Sequence, residues 1–225
     1  LPIKPELFTF LRELKNNNNR DWFQANKSRY ENEVKRPLFD FIEDFGGRLP
    51  AISPHYQAIP STSGGSLFRI YRDVRFSKDK SPYKTGAGIH FRHERARDVH
   101  APGFYLHLEP GDVFAACGIW HPDPAALGRI REVILEHPER WLAARDESGF
   151  RSAYALEGDS LARPPRGIDP EHPLVEDLKR KDFLGSAELS EDLACRPDFL
   201  DRYFELCLKA VPFMRFLTEA LDLSW

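Results

Sequence analysis

The chain has 225 residues, 41% hydrophobic and 30% charged, with a formal net charge of −3. This is the composition of a soluble globular protein long enough to bury a core, and no apolar run is long enough to cross a bilayer as a helix. Three widely spaced cysteines, Cys117, Cys195 and Cys207, read as reduced thiols of a cytoplasmic protein rather than a disulfide framework. No signal peptide is recognisable at Leu1, where the chain starts without an initiator Met.

The first fifty residues carry helical periodicity. Leu7, Phe8, Phe10, Leu11 and Leu14 share one face of a helix expected over Pro5–Lys15. The run Asn16–Asn19 breaks it, because Asn tolerates left-handed backbone and caps the next helix. That helix is expected to begin near Arg20, with Asp21 at its positive end and Trp22 and Phe23 as anchors. A third segment, Ser28–Arg48, repeats Tyr30, Val34, Leu38, Phe41, Ile42 and Phe45. Pro37 should kink or split it, and Gly46-Gly47 should close it. Residues 50–66, rich in Pro, Ser and Gly, read as a loop.

The centre reads as β. In Phe68–Phe76 one face holds Phe68, Ile70, Arg72, Val74 and Phe76, and the other Arg69, Tyr71, Asp73 and Arg75. If the strand persists as far as Arg72, that side chain is buried and must be paired; the alternative is a strand ending near Arg72. Gly86–Arg92 is a second strand. Gly103–Glu109 and Asp112–Gly118 form a hairpin around Pro110-Gly111, which would set Glu109 opposite Asp112 and His107 opposite Phe114. Pro-Gly does not favour the mirror-image turns of two-residue hairpins, so a longer loop is the other option. Phe104, Leu106, Leu108, Val113, Ala115 and Cys117 form the apolar face; Tyr105, His107 and Glu109 point the other way.

Helices return at Pro124–Glu136, Pro138–Asp146, His172–Lys181 and Pro197–Leu223, the last kinked at Pro212, with a loop at 163–167. The expected architecture is α+β: a central antiparallel sheet, about residues 67–118, covered by N-terminal and C-terminal helices. No repeat or linker divides the chain, so residues 1–225 are read as a single domain.

The densest chemistry lies in residues 69–84. Arg69, Arg72, Arg75, Lys78, Lys80 and Lys84 are interleaved with Tyr71, Phe76 and Tyr83, against two acids, Asp73 and Asp79. From Leu67 to Arg97 nine Lys/Arg face three acids, a charge of +6, so the rest of the chain carries −9. A basic centre in an acidic chain suits a local anion site better than a wide nucleic-acid surface. Arg forks hold carboxylate or phosphate, and Tyr offers a hydroxyl or a stacking face. The competing reading is an internal ion-pair network completed by distant carboxylates.

Five stretches together resemble a known family. They are Arg20-Asp-Trp-Phe-x-x-Asn-Lys-x-x-Tyr30, Arg69–Thr85, Gly103-Phe-Tyr-Leu-His-Leu-Glu-Pro-Gly111, Gly118-Ile-Trp-His-Pro122 and Pro165-Arg-Gly-x-x-x-x-His-Pro173. The family is the conserved hypothetical one of bacteria and fungi called "domain of unknown function twenty-four sixty-one". The resemblance spans nearly the whole chain and implies one domain of about this length, with no activity to carry over. Cys117-Gly118 stands where the family pattern has Gly-Gly, which argues against a catalytic Cys117.

Other chemistry is sparser. His90, His93, His100 and His107 with Glu94 and Glu109 lack the spacing of a metal site on strands, so no metal and no cofactor is expected. His107 and Glu109 share a strand face and are the candidate acid–base pair; two solvated polar residues are the plainer reading. Ser77 and Ser81 sit among lysines as weak nucleophile candidates. Ser61–Ser66 could present backbone N–H groups to a phosphate. Trp22, Trp120 and Trp141 read as core or core-edge anchors.

The best reading is an anion-binding domain, extending to an enzyme on a phosphorylated or carboxylated small molecule. Arg69, Arg72, Arg75, Lys78, Lys80 and Lys84 would hold the anion, Tyr71 and Tyr83 would orient it, and His107 and Glu109 would move the proton. The alternatives are a nucleic-acid-binding module, which the acidic remainder disfavours, and a structural or protein-interaction domain with a buried ion-pair network. No membrane partner is expected.

Overall fold

The structure is a computed structural model that describes residues 2–95 and 101–225. Arg97 and His100 lie outside the described residues.

Helix α1 (Pro5–Asn16) buries Leu7, Phe8, Phe10, Leu11 and Leu14 as its periodicity requires. Asn19 then caps α2 (Arg20–Ala25): its side chain accepts the Trp22 N–H at 2.9 Å. Phe23 is buried and Trp22 half-buried. Beyond Asn26 the chain runs through α3 (Lys27–Arg29), a π-helical stretch over Tyr30–Lys35, and α4 (Arg36–Gly46). Tyr30, Val34, Leu38, Phe41, Ile42 and Phe45 are all buried. Pro37 lies in the first turn of α4, where the winding changes from π-helical to α-helical. The wide turn before it, with the Arg36 N–H bonded to Glu31 O, takes up the space that the ring denies an α-helical carbonyl. Gly47 follows in ordinary right-handed backbone, φ −64°.

Among the described residues the sheet has six antiparallel strands in the order β1-β2-β3-β4-β6-β5. They are β1 (Tyr56–Gln57), β2 (Ala87–His93), β3 (Gly103–Glu109), β4 (Asp112–Ile119), β5 (Ala155–Glu157) and β6 (Phe183–Leu189). The α+β expectation holds, but the sheet reaches beyond residues 67–118 at both edges. A two-residue strand interrupts the 50–66 loop. β6 pairs with β4, joining Ala115 to Ala187 and Cys117 to Gly185.

The β3–β4 hairpin has the expected register, Glu109 opposite Asp112 and His107 opposite Phe114. Its loop is the two residues Pro110-Gly111. Gly111 stands at φ 81°, as the second central residue of a type II turn requires. Glu191 steadies this unfavoured hairpin turn by accepting the Gly111 N–H at 3.0 Å.

Phe68–Phe76 is not a strand. Its backbone makes isolated bonds only: Phe68 N–H to Gly88 O, Arg72 N–H to Pro82 O and, returning, Lys84 N–H to Ile70 O. Side chains still alternate in burial from Phe68 to Val74, because an extended chain has period two whether or not it joins a ladder. The pattern fails at Phe76, which is 95% exposed.

After β4 come α5 (Pro124–Glu136), α6 (Pro138–Arg145), α7 (Ser148–Ala153), α8 (Val175–Leu178) and α9 (Glu191–Ala194). The chain ends on α10 (Phe199–Lys209) and α11 (Val211–Ala220). The helix expected over His172–Lys181 is only the four residues of α8. The helix expected over Pro197–Leu223 is split at Ala210, because Pro212 opens the second helix rather than continuing the first.

Helices α1 and α11 lie against β3 and β4. They cover the sheet face that carries Phe91, Phe104, Leu106, Leu108, Ala115 and Cys117, all buried. The opposite face carries Tyr105, His107, Phe114, Ala116 and Ser186, all half-buried. The excursion over residues 66–86 leans on that second face and makes the cleft described next.

Candidate functional site

On strand β3 alternate side chains share a side, so Tyr105, His107 and Glu109 stand in a row. The Tyr105 hydroxyl lies 2.9 Å from His107 Nδ1, and His107 Nε2 lies 3.4 Å from Glu109 Oε2. A carboxylate only accepts, so Nε2–H donates to Glu109 and Nδ1 accepts from Tyr105. Thr85 Oγ1 donates to Glu109 Oε1 at 2.7 Å, and Lys15 Nζ lies 3.9 Å from the same oxygen. The His107 ring stacks on Phe114, 4.8 Å between centroids. Burial pushes the Tyr105 phenol up to about 12, with the Asp112 and Glu109 charges adding to it, so it stays protonated at neutral pH.

The space above this row exists because β2 gives it none of its own side chains. A Cβ on Gly88 would lie 2.5 Å from the Tyr105 hydroxyl, and one on Gly86 would lie 2.8 Å from Glu109 Cβ. The result is a cleft of about 630 Å³ whose polar lining includes Lys15, Asn18, Arg72, Lys84, Tyr105, His107 and Glu109. Asn18 joins the α1–α2 turn to the far wall. Its side-chain amide donates to Tyr83 O at 3.0 Å and accepts from Tyr83 N–H at 3.1 Å, as a strand neighbour would.

Two cations of the basic segment reach the cleft in different states. Half-buried Arg72 is paired with Asp79, whose carboxyl is held well below its ordinary range by the Ser81 hydroxyl and then by Arg72. Lys84 has no ion-pair partner among the described residues; its ammonium sits 5.2 Å over the Phe68 ring. Burial, and then the nearby Arg69 charge, lower its pKa.

The other residues expected to bind the ligand lie elsewhere. Arg69 and Tyr71 line a separate groove of about 220 Å³ with Lys27, Glu31 and Lys35. Arg75, 76% exposed, pairs with Asp73 and lies over Phe76. Lys80 donates to Val74 O at 2.9 Å, while exposed Lys78 lines none of these cavities. Tyr83 does line the cleft, but its buried ring stacks on Phe23, 4.1 Å between centroids. The motif thus divides among a cleft, a groove and a surface tip, because an irregular hairpin turns successive side chains to different sides. Its two acids are 59% exposed, so its ion pairs are surface pairs rather than a buried network.

Lys15 and Asn18 carry no signal of a site in the sequence; the fold brings Lys15 in from the first helix and Asn18 from the turn after it. Tyr105 was visible as a face-mate of His107 and Glu109. The remaining candidates are occupied with other work. Ser81 donates to Asp79 at 2.6 Å. Loop 61–66 turns the carbonyls of Gly64 and Gly65 to Arg92 instead of presenting N–H groups to an anion. His93 Nε2 meets Ser224 O at 2.9 Å. The ligand atoms of His107, Glu109 and Asp112 lie within 4.8 Å of one another, but Thr85, His107 and Lys15 already occupy Glu109, and a cation would have to displace them. Burial raises the Cys117 thiol well above its usual range, which leaves it no reactive thiolate. Trp141 is buried in the core, whereas Trp120 is 50% exposed beside the open sheet face.

The sequence profile of the family described as "Conserved hypothetical protein (DUF2461)" matches residues 6–216. Neither the curated proteins nor the solved structures contain a match to the chain.

Proposed function

The chain belongs to this family of conserved hypothetical proteins, and we propose that it binds a small carboxylated or phosphorylated molecule in the cleft over β3 and moves a proton on it. The observation that carries this reading is Lys84. A half-buried ammonium with no counter-ion among the described residues is an unfavourable arrangement, and a bound anion would relieve it. It lines the same cleft as the Tyr105–His107–Glu109 row.

The row has the order of a proton relay. A substrate proton taken up at the Tyr105 oxygen is matched by transfer of the phenol's own proton to His107 Nδ1. Glu109, at Nε2, then stabilises the imidazolium and holds the ring in position. Thr85 and Lys15, both at Oε1, hold the Glu109 carboxyl in position. A continuous nucleic-acid track is disfavoured, because the cations of residues 69–84 face three separate places.

Thermal unfolding against phosphate, sugar phosphates, dicarboxylates and a short oligonucleotide tests the reading. A ligand at a hundred times its dissociation constant stabilises by about 2.7 kcal/mol. A salt-sensitive rise with one anion class, lost in Lys84→Ala, is the expected result. A rise with the oligonucleotide alone, or with none of the anions, would overturn it.

A further inference from the structure

The cleft has a neighbour. Phe68 and Tyr105 also line a second cavity, of about 410 Å³, on the same open sheet face. Its floor is made of small residues, Gly103, Ala116 and Ser186, and its walls of Phe68, Phe114, Trp120 and Leu184. The two cavities differ in character, the first lined by charged side chains of both signs with cations in the majority, the second apolar and aromatic.

Three observations bear on what fills the second chamber. Buried His90 lines it, and among the described residues His90 Nδ1 has no hydrogen-bond partner; such atoms are rare in folded chains and ask for an explanation. Among the described residues the chamber's one carboxylate is Glu157, which would repel an anionic group placed there. The ring that divides the cavities, Phe68, carries the Lys84 ammonium over it, so an anion at Lys84 lies one ring away from the apolar space.

We propose that the two cavities are halves of one site and that its ligand is an amphipathic anion: a carboxylate or phosphate at Lys84, joined to an apolar ring or short acyl body lodged between Phe68, Phe114 and Trp120. The proposal rests on the anion reading of the cleft and adds the nature of the rest of the molecule. Tyr105, on the boundary, would meet the ligand where its charged and apolar parts join, which is also where the relay would act on it.

The test is calorimetric titration of the full chain with matched probes. Phenyl phosphate and 3-phenylpropionate are compared with inorganic phosphate and acetate, and with benzyl alcohol. The aromatic anions are expected to bind at least tenfold tighter than their small counterparts. Ala116→Leu, which fills the chamber, should abolish that gain and leave phosphate or acetate binding unchanged; Ser186→Leu serves if the first variant fails to fold. Lys84→Ala should weaken every anion. Equal affinity for aromatic and small anions overturns the amphipathic ligand and leaves the anion cleft standing. Benzyl alcohol binding as tightly as phenyl phosphate, indifferent to Lys84→Ala, overturns the anion cleft and the proposal with it. Failure of all the probes to bind overturns both.

Discussion

The Lys84 ammonium lies 5.2 Å over the Phe68 ring, and Phe68 is a wall common to the cationic cleft and the apolar chamber. Cation–π contact offsets part of the cost of holding this charge out of water. It does not neutralise it, which leaves Lys84 as the cation of residues 69–84 best placed to take a ligand's charge.

Lys84→Ala is therefore expected to weaken anion binding about tenfold or more, the range of a charge-assisted hydrogen bond. Arg75→Ala should leave binding unchanged, since Arg75 sits at the surface with Asp73. Titration of both variants with the same anion checks this. Equal losses would mean that the cleft is not where the anion sits.

Gly88→Ala should disable the row without unfolding the chain. The added methyl would lie 2.5 Å from the Tyr105 hydroxyl and 3.1 Å from a Phe68 ring carbon, so both rings must move. The His107 imidazole resonances should shift while the far-ultraviolet circular dichroism is kept. The control is Gly128→Ala in helix α5, where a Cβ meets nothing within 4 Å; it should stabilise by about 0.5–1 kcal/mol. An unshifted His107 in Gly88→Ala would refute the close packing.

Asn18→Asp keeps the acceptor for Tyr83 N–H but loses the donor to Tyr83 O. A carboxylate oxygen would then face a carbonyl. Denaturant unfolding at pH 7 should show a loss of about 1–3 kcal/mol, the usual penalty for a part-buried carbonyl left without its donor. A variant as stable as the parent would show that the α1–α2 turn does not depend on this bond.

Acid should find His90. Burial, with a smaller push from Arg92, lowers its imidazole from 6.5 to about 4. An unfolded chain takes up that proton near 6.5, the folded one only near 4. This contribution to stability is thus complete above pH 6.5 and drains away as the pH falls towards 4, because the unfolded state binds the proton first. At 1.4 kcal/mol per unit the loss is on the order of 3 kcal/mol. Urea unfolding of the parent and of His90→Gln at pH 7 and pH 4 should differ by that amount in pH dependence; parallel losses would exclude His90 as the cause.

Where local pattern decides structure, the sequence was legible. Five apolar residues at helical spacing placed α1, and alternation on two short segments gave the β3–β4 hairpin with its register, so His107 and Glu109 were placed on one strand face in advance. Alternation in Phe68–Val74 was equally clean and misleading, because it reports an extended backbone and not whether that backbone finds a ladder. Strand β6 went unseen: Gly185 and Ser186 are poor strand formers, and its partner β4 lies over sixty residues earlier. The cleft itself was out of reach. Lys15 and Asn18 enter it only because α1 packs on β3, and Lys84 parted from Arg69 and Arg75 only because the basic segment folds as an irregular hairpin.

The glycines opposite β3 have a consequence for kinship. The Tyr105–His107–Glu109 row is written on β3 and the room above it on glycines within and just before β2, so the two can be inherited separately. A family member with Tyr, His and Glu at the positions of 105, 107 and 109, but a side chain at 86 or 88, would keep the chemistry's letters and lose the room to use them. Such a relative would share the fold and not the cleft, however high its overall identity.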